Sequence, residues 1–165
     1  MMGPMTMARV LRVLAPVLTL RTGIALLILR AVVGWSLHLH GSPKLEDPLH
    51  WLDDSPGLHA LLPGAPQVLE PVVAVAEGVG GLFIIAGLLT RLVALLIVCD
   101  LATVVIGIEI MHGHPFVGGR DSYEVPALLL TSAIVLLITG PGRISFDALF
   151  ALVADVRSRR LRSRY

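Results

Sequence analysis

The chain has one cysteine in 165 residues and few charges for its length. A single thiol, Cys99, forms neither an intramolecular disulfide nor a CxxC redox pair, and zinc sites need several ligands. Its place in an apolar run predicts a small core residue with no thiol chemistry of its own. Charged residues make up 15% of the chain, against about 25% in a soluble domain, which argues against a soluble fold. An ATP-binding motif and a catalytic triad are also missing, so no self-sufficient enzyme is indicated, and no nucleic-acid partner is expected. What the chain has in quantity is apolar residues, 55% of the total, with a mean hydropathy of +0.83.

The apolar residues fall into four spans, predicted at about 22–39, 71–89, 92–111 and 123–139. About 20 such residues at 1.5 Å rise cross a hydrocarbon core of roughly 30 Å. The expected fold is all-α: a polytopic four-helix membrane bundle forming one domain, 1–165. The segment before residue 22, with Arg9, Arg12 and Arg21, is expected to lie along the membrane surface. A proline-rich acidic stretch, 40–70, forms the first loop, with Trp51 suited to the interface. Ser145 is a plausible N-cap for a last helix, and Asp147 suits its positive start. Phe146, Leu149, Phe150 and Val153 share one face of that helix, and a basic tail, 157–165, follows. This is the pattern of an interfacial amphipathic helix drawn to anionic lipid.

The span 71–89 is the centre of the pattern. It carries Glu77 and four glycines, at 78, 80, 81 and 87, which let a neighbouring backbone come close. Arg30 and Asp100 lie near the middle of other spans. A lone charge at mid-bilayer costs at least ~2.5–3.5 kcal/mol, so Arg30, Glu77 and Asp100 are expected to form a polar cluster, Arg30 with Glu77 above all. The plainest role is an ion pair that fixes helix register. The chemical roles are a protonatable acid in a relay, or a polar pocket for a quinone head group or small solute. One arginine cannot neutralise two acids, which points to a proton on one of them.

Histidines offer a second candidate. His38 and His40 point about 200° apart on a continuous helix and chelate together only if the helix ends between them. Glu109, His112 and His114 could form a His-His-carboxylate site for zinc, copper or iron, although histidines at a loop exit are more often simply solvated. A haem would need a histidine well inside the bundle, and there is none.

Several stretches together resemble the DoxX family of four-helix membrane proteins. LLILRAVVGWSLHLHGSPKL carries Arg30, Gly34, His40, Gly41, Lys44 and Leu45. EGVGGLFIIAGLLTR carries Glu77, Gly80, Gly81, Gly87, Thr90 and Arg91. GPGRISFD carries Gly140, Gly142, Arg143, Ser145 and Asp147. The resemblance implies an accessory membrane subunit of a redox system, quinone-coupled or linked to thiol and oxidative stress, with other redox subunits as partners. Two other functions fit the residues: a small solute or proton transporter built on the intramembrane charges, or a scaffold without chemistry. Asp100 and the long first loop lie outside the family pattern.

Orientation follows from charge. Arg9, Arg12, Arg21, Arg91, Arg143 and the five tail arginines share one side, while the other has Lys44, Arg120 and seven of the twelve acids. The positive-inside rule then places both termini in the cytoplasm, in the inner membrane of a prokaryote. Periplasmic-type reporters fused at Pro56 and Gly118 should be active and one after Tyr165 inactive; the reverse pattern contradicts the assignment.

Overall fold

A computed structural model describes residues 4–51, 66–110, 113–118 and 122–162, of which 4–18, 66–67 and 108–110 are described by backbone alone. All regular structure in these residues is helical: α1 Pro4–Lys44, α2 Pro66–Ala86, α3 Thr90–Ala102, α4 Glu124–Thr139 and α5 Phe146–Arg162. Three helices are long and apolar enough to cross a membrane, Thr19–Lys44, Val68–Ala86 and Thr90–Gly107, and Glu124–Thr139 is a shorter apolar helix. The chain is an all-α membrane bundle.

Packing runs round a ring. The contact between α1 and α2 is the most extensive and that between α3 and α4 the next; α2 with α3 and α1 with α4 close the circle. Leu26, Val33, Leu37, Ile84, Ile97 and Leu136 fill the centre. Ile28, Val32, Leu92, Leu95 and Ile138 are exposed on the outside, where lipid would meet them.

Two helix ends differ from the sequence expectation. α1 begins at Pro4 and is one 41-residue helix, with no break before the span. At 1.5 Å per residue it is about 60 Å long, twice the hydrocarbon core. Its first half is rich in Leu, Met, Ala and Arg, good helix formers, and the helix continues through Pro16. At the other end the helix runs past His40 to Lys44. A Cβ at Gly41 would collide with the backbone of Glu77 and Gly78, so the two helices touch there and the contact supports the extra turn.

The α1–α2 contact rests on absent side chains. A Cβ on Gly34 would lie 2.5 Å from the Gly81 carbonyl oxygen, and one on Gly81 would lie 2.6 Å from that of Gly34. Gly80 faces the other way, with Val93 of α3 2.8 Å from where its Cβ would be. The glycines of α2 therefore serve two neighbours.

α2 closes on a Schellman motif: Leu88 N–H bonds the Phe83 carbonyl at 2.9 Å and Gly87 N–H that of Ile84 at 3.1 Å. Gly87 takes φ +69°, which a side chain would oppose. The third span is not α-helical throughout. From Thr103 to Ile110 it widens into a π-helix, where β-branched Thr103, Val104, Val105 and Ile106 crowd the turns. That change begins three residues beyond Asp100.

Gly34→Ala should lower stability by about 1–3 kcal/mol through overpacking against backbone. Gly23→Ala, whose Cβ would meet Ile144 at an ordinary 3.7 Å, should be neutral or stabilising. Thermal unfolding in detergent measures both, and equal effects would contradict the contact.

Candidate functional site

The polar residues form two clusters at opposite ends of the bundle. Near the Lys44 end, Lys44 Nζ lies 2.6 Å from Glu77 Oε2. Glu77 is only 5% exposed, so this is a largely buried pair. Lys44 also stands 4.3 Å above the Trp51 ring, a cation–π contact, and Trp51 Nε1–H donates to the Glu70 backbone carbonyl at 2.9 Å. Asp100 reaches across from α3 to within hydrogen-bonding range of Glu77. His38 Nδ1–H donates to the Gly78 carbonyl at 2.8 Å, on the same stretch of α2.

Three carboxyl oxygens here have no hydrogen-bond partner among the described residues: Asp100 Oδ2, Glu70 Oε2 and Glu77 Oε2, the last held by its ion pair with Lys44. Glu70 is 2% exposed and sits two helical turns before Glu77, on the same face of α2. By sequence it falls at the end of the proline-rich first loop, 40–70. Its seven-residue spacing from Glu77 was the available signal.

Arg30 lies elsewhere. It is fully buried and donates from Nη2 to the backbone carbonyl of Ile144, with Nη1 against the bare Cα of Gly87. The expected Arg30–Glu77 pair does not form, and Lys44 takes the place beside Glu77. The reason is register. With α1 continuing to Lys44, Arg30 lies 14 residues, about 21 Å, back along the helix. The antiparallel contacts of Gly41 with Glu77 and Gly78, and of Gly34 with Gly81, then bring Arg30 opposite Gly87.

Around Arg30 the motif residues form a clasp. Asp147 accepts from Leu89 N–H at 2.9 Å and Thr90 N–H at 3.0 Å, so its carboxylate caps the start of α3 rather than of its own helix. Its own N–H donates to the Gly87 carbonyl at 2.9 Å. Ser145 Oγ accepts from Ala148 N–H at 3.1 Å, the N-cap expected for α5. Arg91 reaches the Ile138 carbonyl at the end of α4 and lies over Gly140. Gly142 packs on Leu26, and Arg143 donates to Thr19 Oγ1 at 3.0 Å.

The remaining candidates separate. α1 passes through both His38 and His40 as continuous helix, and His40 is exposed, so the two cannot grip one ion together. His114 is half-buried, while His112 and the side chain of Glu109 lie outside the described residues. No metal-holding group of three occurs among the described residues. On the first loop, His50 Nδ1–H donates to Asp47 at 3.0 Å and holds that carboxyl below its ordinary range. Cys99, expected in the core, is exposed on the outer face of α3: residues 93, 94, 97 and 101 take the buried side of that helix.

The arrangement defines a polytopic all-α membrane protein with a charge cluster buried at one end of its bundle and a backbone clasp at the other. The DoxX family profile matches residues 25–113, more than half of the chain, and the protein belongs to that family. A Bacillus subtilis (strain 168) protein named "Putative oxidoreductase CatD" is 28% identical over 124 residues, 75% of this chain and 85% of that one. No solved structure matches the chain.

The geometry predicts unequal couplings. In double-mutant cycles, Lys44→Met with Glu77→Gln should show at least about 1 kcal/mol of interaction, because either change alone strands a buried charge. Arg30→Leu with Glu77→Gln should be additive within about 0.5 kcal/mol. Thermal or denaturant unfolding in detergent measures both; the opposite ranking contradicts the clusters.

Proposed function

We propose that this protein is an accessory membrane subunit of a redox system, with the Lys44–Glu77–Asp100 cluster as the place where a quinone-type head group is held and protons are exchanged. The observation that carries this reading is the charge imbalance of the cluster. Lys44 lies 2.6 Å from one of two adjoining carboxyls, and one cation cannot neutralise both. A proton held between two such carboxyls would be open to transfer.

The residues fit such a ligand. Lys44 supplies N–H donors for a carbonyl oxygen, and the Asp100 oxygen without a partner offers an acceptor or a proton. An apolar groove of about 410 Å³, lined by Val72, Val75, Val79, Phe83 and Leu92 among others, follows the outer face of the same two helices, α2 and α3. It suits an isoprenoid tail. A quinone supplies two-electron, two-proton chemistry; the chain's part is to orient the head group and carry the proton between Glu77 and Asp100. The oxidoreductase name of the Bacillus relative agrees with this role, as does a lone cysteine that leaves thiol exchange to other subunits.

The same proposal sets the protein in the inner membrane of a prokaryote as one membrane domain, with both termini cytoplasmic on the strength of the ten cations at that side. A second reading, a proton or small-solute pathway, is favoured by buried Glu70 and Glu77 and half-buried Asp100.

Trp51, in contact with Lys44, reports on the site. In a Trp35→Phe background, a short-chain quinone analogue should quench Trp51 fluorescence saturably, and Asp100→Asn or Lys44→Met should weaken the binding roughly tenfold, the value of one charge-assisted hydrogen bond. Non-saturating quenching that is the same in all variants contradicts a head-group site. Proton flux into pyranine-loaded liposomes without any redox partner would favour the second reading.

A further inference from the structure

At the arginine-rich end, the linker between α4 and α5 crosses α1 beside Gly23. Gly23 is buried, and the space its missing side chain leaves opens into a pocket of about 310 Å³ lined by Thr19, Leu20, Gly23, Arg143 and Ile144. Arg143 lies at its mouth. Among the described residues its single partner is Thr19 Oγ1, 3.0 Å from Nη1, so one corner of the guanidinium is fixed and the rest of its fork is free. The neighbouring motif arginines are otherwise engaged, Arg30 in the core and Arg91 at the end of α4. Arg143 alone of the three combines an exposed fork with an adjoining cavity.

Its position and charge point to one kind of ligand. Thr19 and Arg143 stand at the arginine-rich end of the bundle, next to the start of α5. That helix has no buried residue: Phe146, Leu149, Phe150 and Val153 are all exposed along one face. A helix with such a face uncovered by protein lies in the membrane interface, with the apolar side in the acyl boundary. Arg21 is exposed two residues from Thr19, and Arg157, Arg159, Arg160 and Arg162 follow on α5. The acids nearby are spent, Asp147 on the α3 start and Asp155 on Arg159 at 2.9 Å. A cationic head group finds nothing to pair with there, whereas a phosphate diester meets a planar fork that binds it with two parallel hydrogen bonds.

We propose that the pocket between α1 and the α4–α5 linker is a binding site for the phosphate head group of an anionic phospholipid of the surrounding leaflet. Arg143 grips the phosphate, the space left by Gly23 admits the glycerol end, and α5 lies alongside the acyl chains. The site is independent of the quinone reading and stands or falls separately.

Native mass spectrometry of the full chain in a neutral detergent tests it, with dioleoylphosphatidylglycerol and dioleoylphosphatidylcholine as probes. One phosphatidylglycerol should be retained in preference to phosphatidylcholine. Arg143→Gln should weaken that binding about fivefold, as one interfacial arginine is worth about 1 kcal/mol. Gly23→Leu, which fills the pocket and leaves the charge unchanged, should weaken it as well, and Arg160→Gln on α5 should matter less. Should Gly23→Leu fail to fold, judged by gel filtration, Arg143→Gln against Arg160→Gln decides. Equal retention of the two lipids, or losses that follow Arg160 rather than Arg143, overturns the site in favour of a diffuse basic surface. Equally tight binding of free glycerol phosphate overturns the assignment to a lipid.

Discussion

The backbone-to-backbone contact of α1 with α2 decides where everything else in this protein falls. Gly34 against Gly81 leaves no room for a Cβ on either side, and Gly41 against Glu77 and Gly78 leaves none on α1. Such a contact cannot slide, because one residue of slip would bring a side chain into a backbone. In a bilayer the lipid tails are as apolar as the helices, so close packing of this sort supplies association that burial does not. With the register set, Lys44 reaches Glu77 at one end and Arg30 reaches Gly87 and Ile144 at the other.

Two cations of α1, Arg30 buried and Lys44 half-buried, thus have different work. Arg30 is enclosed by backbone: the Ile144 carbonyl, the Gly87 turn, and the Asp147 carboxylate that caps α3 nearby. Gly87 belongs to the α2–α3 turn, and Ile144 and Asp147 to the junction of α4 with α5, so the arginine end ties α1 to both connections. Lys44 instead faces side chains that can gain or lose protons, with Trp51 and the first loop above it. Among the described residues, the carboxyl oxygens of Glu70 and Asp100 that have no hydrogen-bond partner lie on this side. The π-helical stretch of the third span begins three residues past Asp100, on this side of the bundle.

The broad architecture was legible because membrane spans announce themselves by length and composition. The glycine-rich span with Glu77 was correctly read as a packing helix, and Ser145 as a cap. Arg30's partner was misread because the reading ended the first span near His38–Gly41. That sequence looks like a helix exit, and only the tertiary contact at Gly41 keeps it helical to Lys44. The five residues gained move Arg30 about 7.5 Å further from the outer end, enough to exchange one partner set for another. Asp147 was expected to serve its own helix start; the cap it makes on α3 joins residues 57 and 58 apart in sequence and has no local signature. Cys99 was expected inside because its neighbours are apolar, but in a membrane bundle apolar neighbours are found on both faces.

The most direct test of the register is the identity of the cation beside Glu77. Solid-state NMR with ¹⁵N-labelled lysine or arginine side chains and a ¹³C-labelled Glu77 carboxyl measures it in lipid, on the intact chain. The account predicts strong dipolar coupling of the Glu77 carboxyl to Lys44 Nζ, lost in Lys44→Met, and none to the guanidinium of Arg30. Coupling to Arg30 with none to Lys44 would contradict the register and the separation of the two clusters that follows from it.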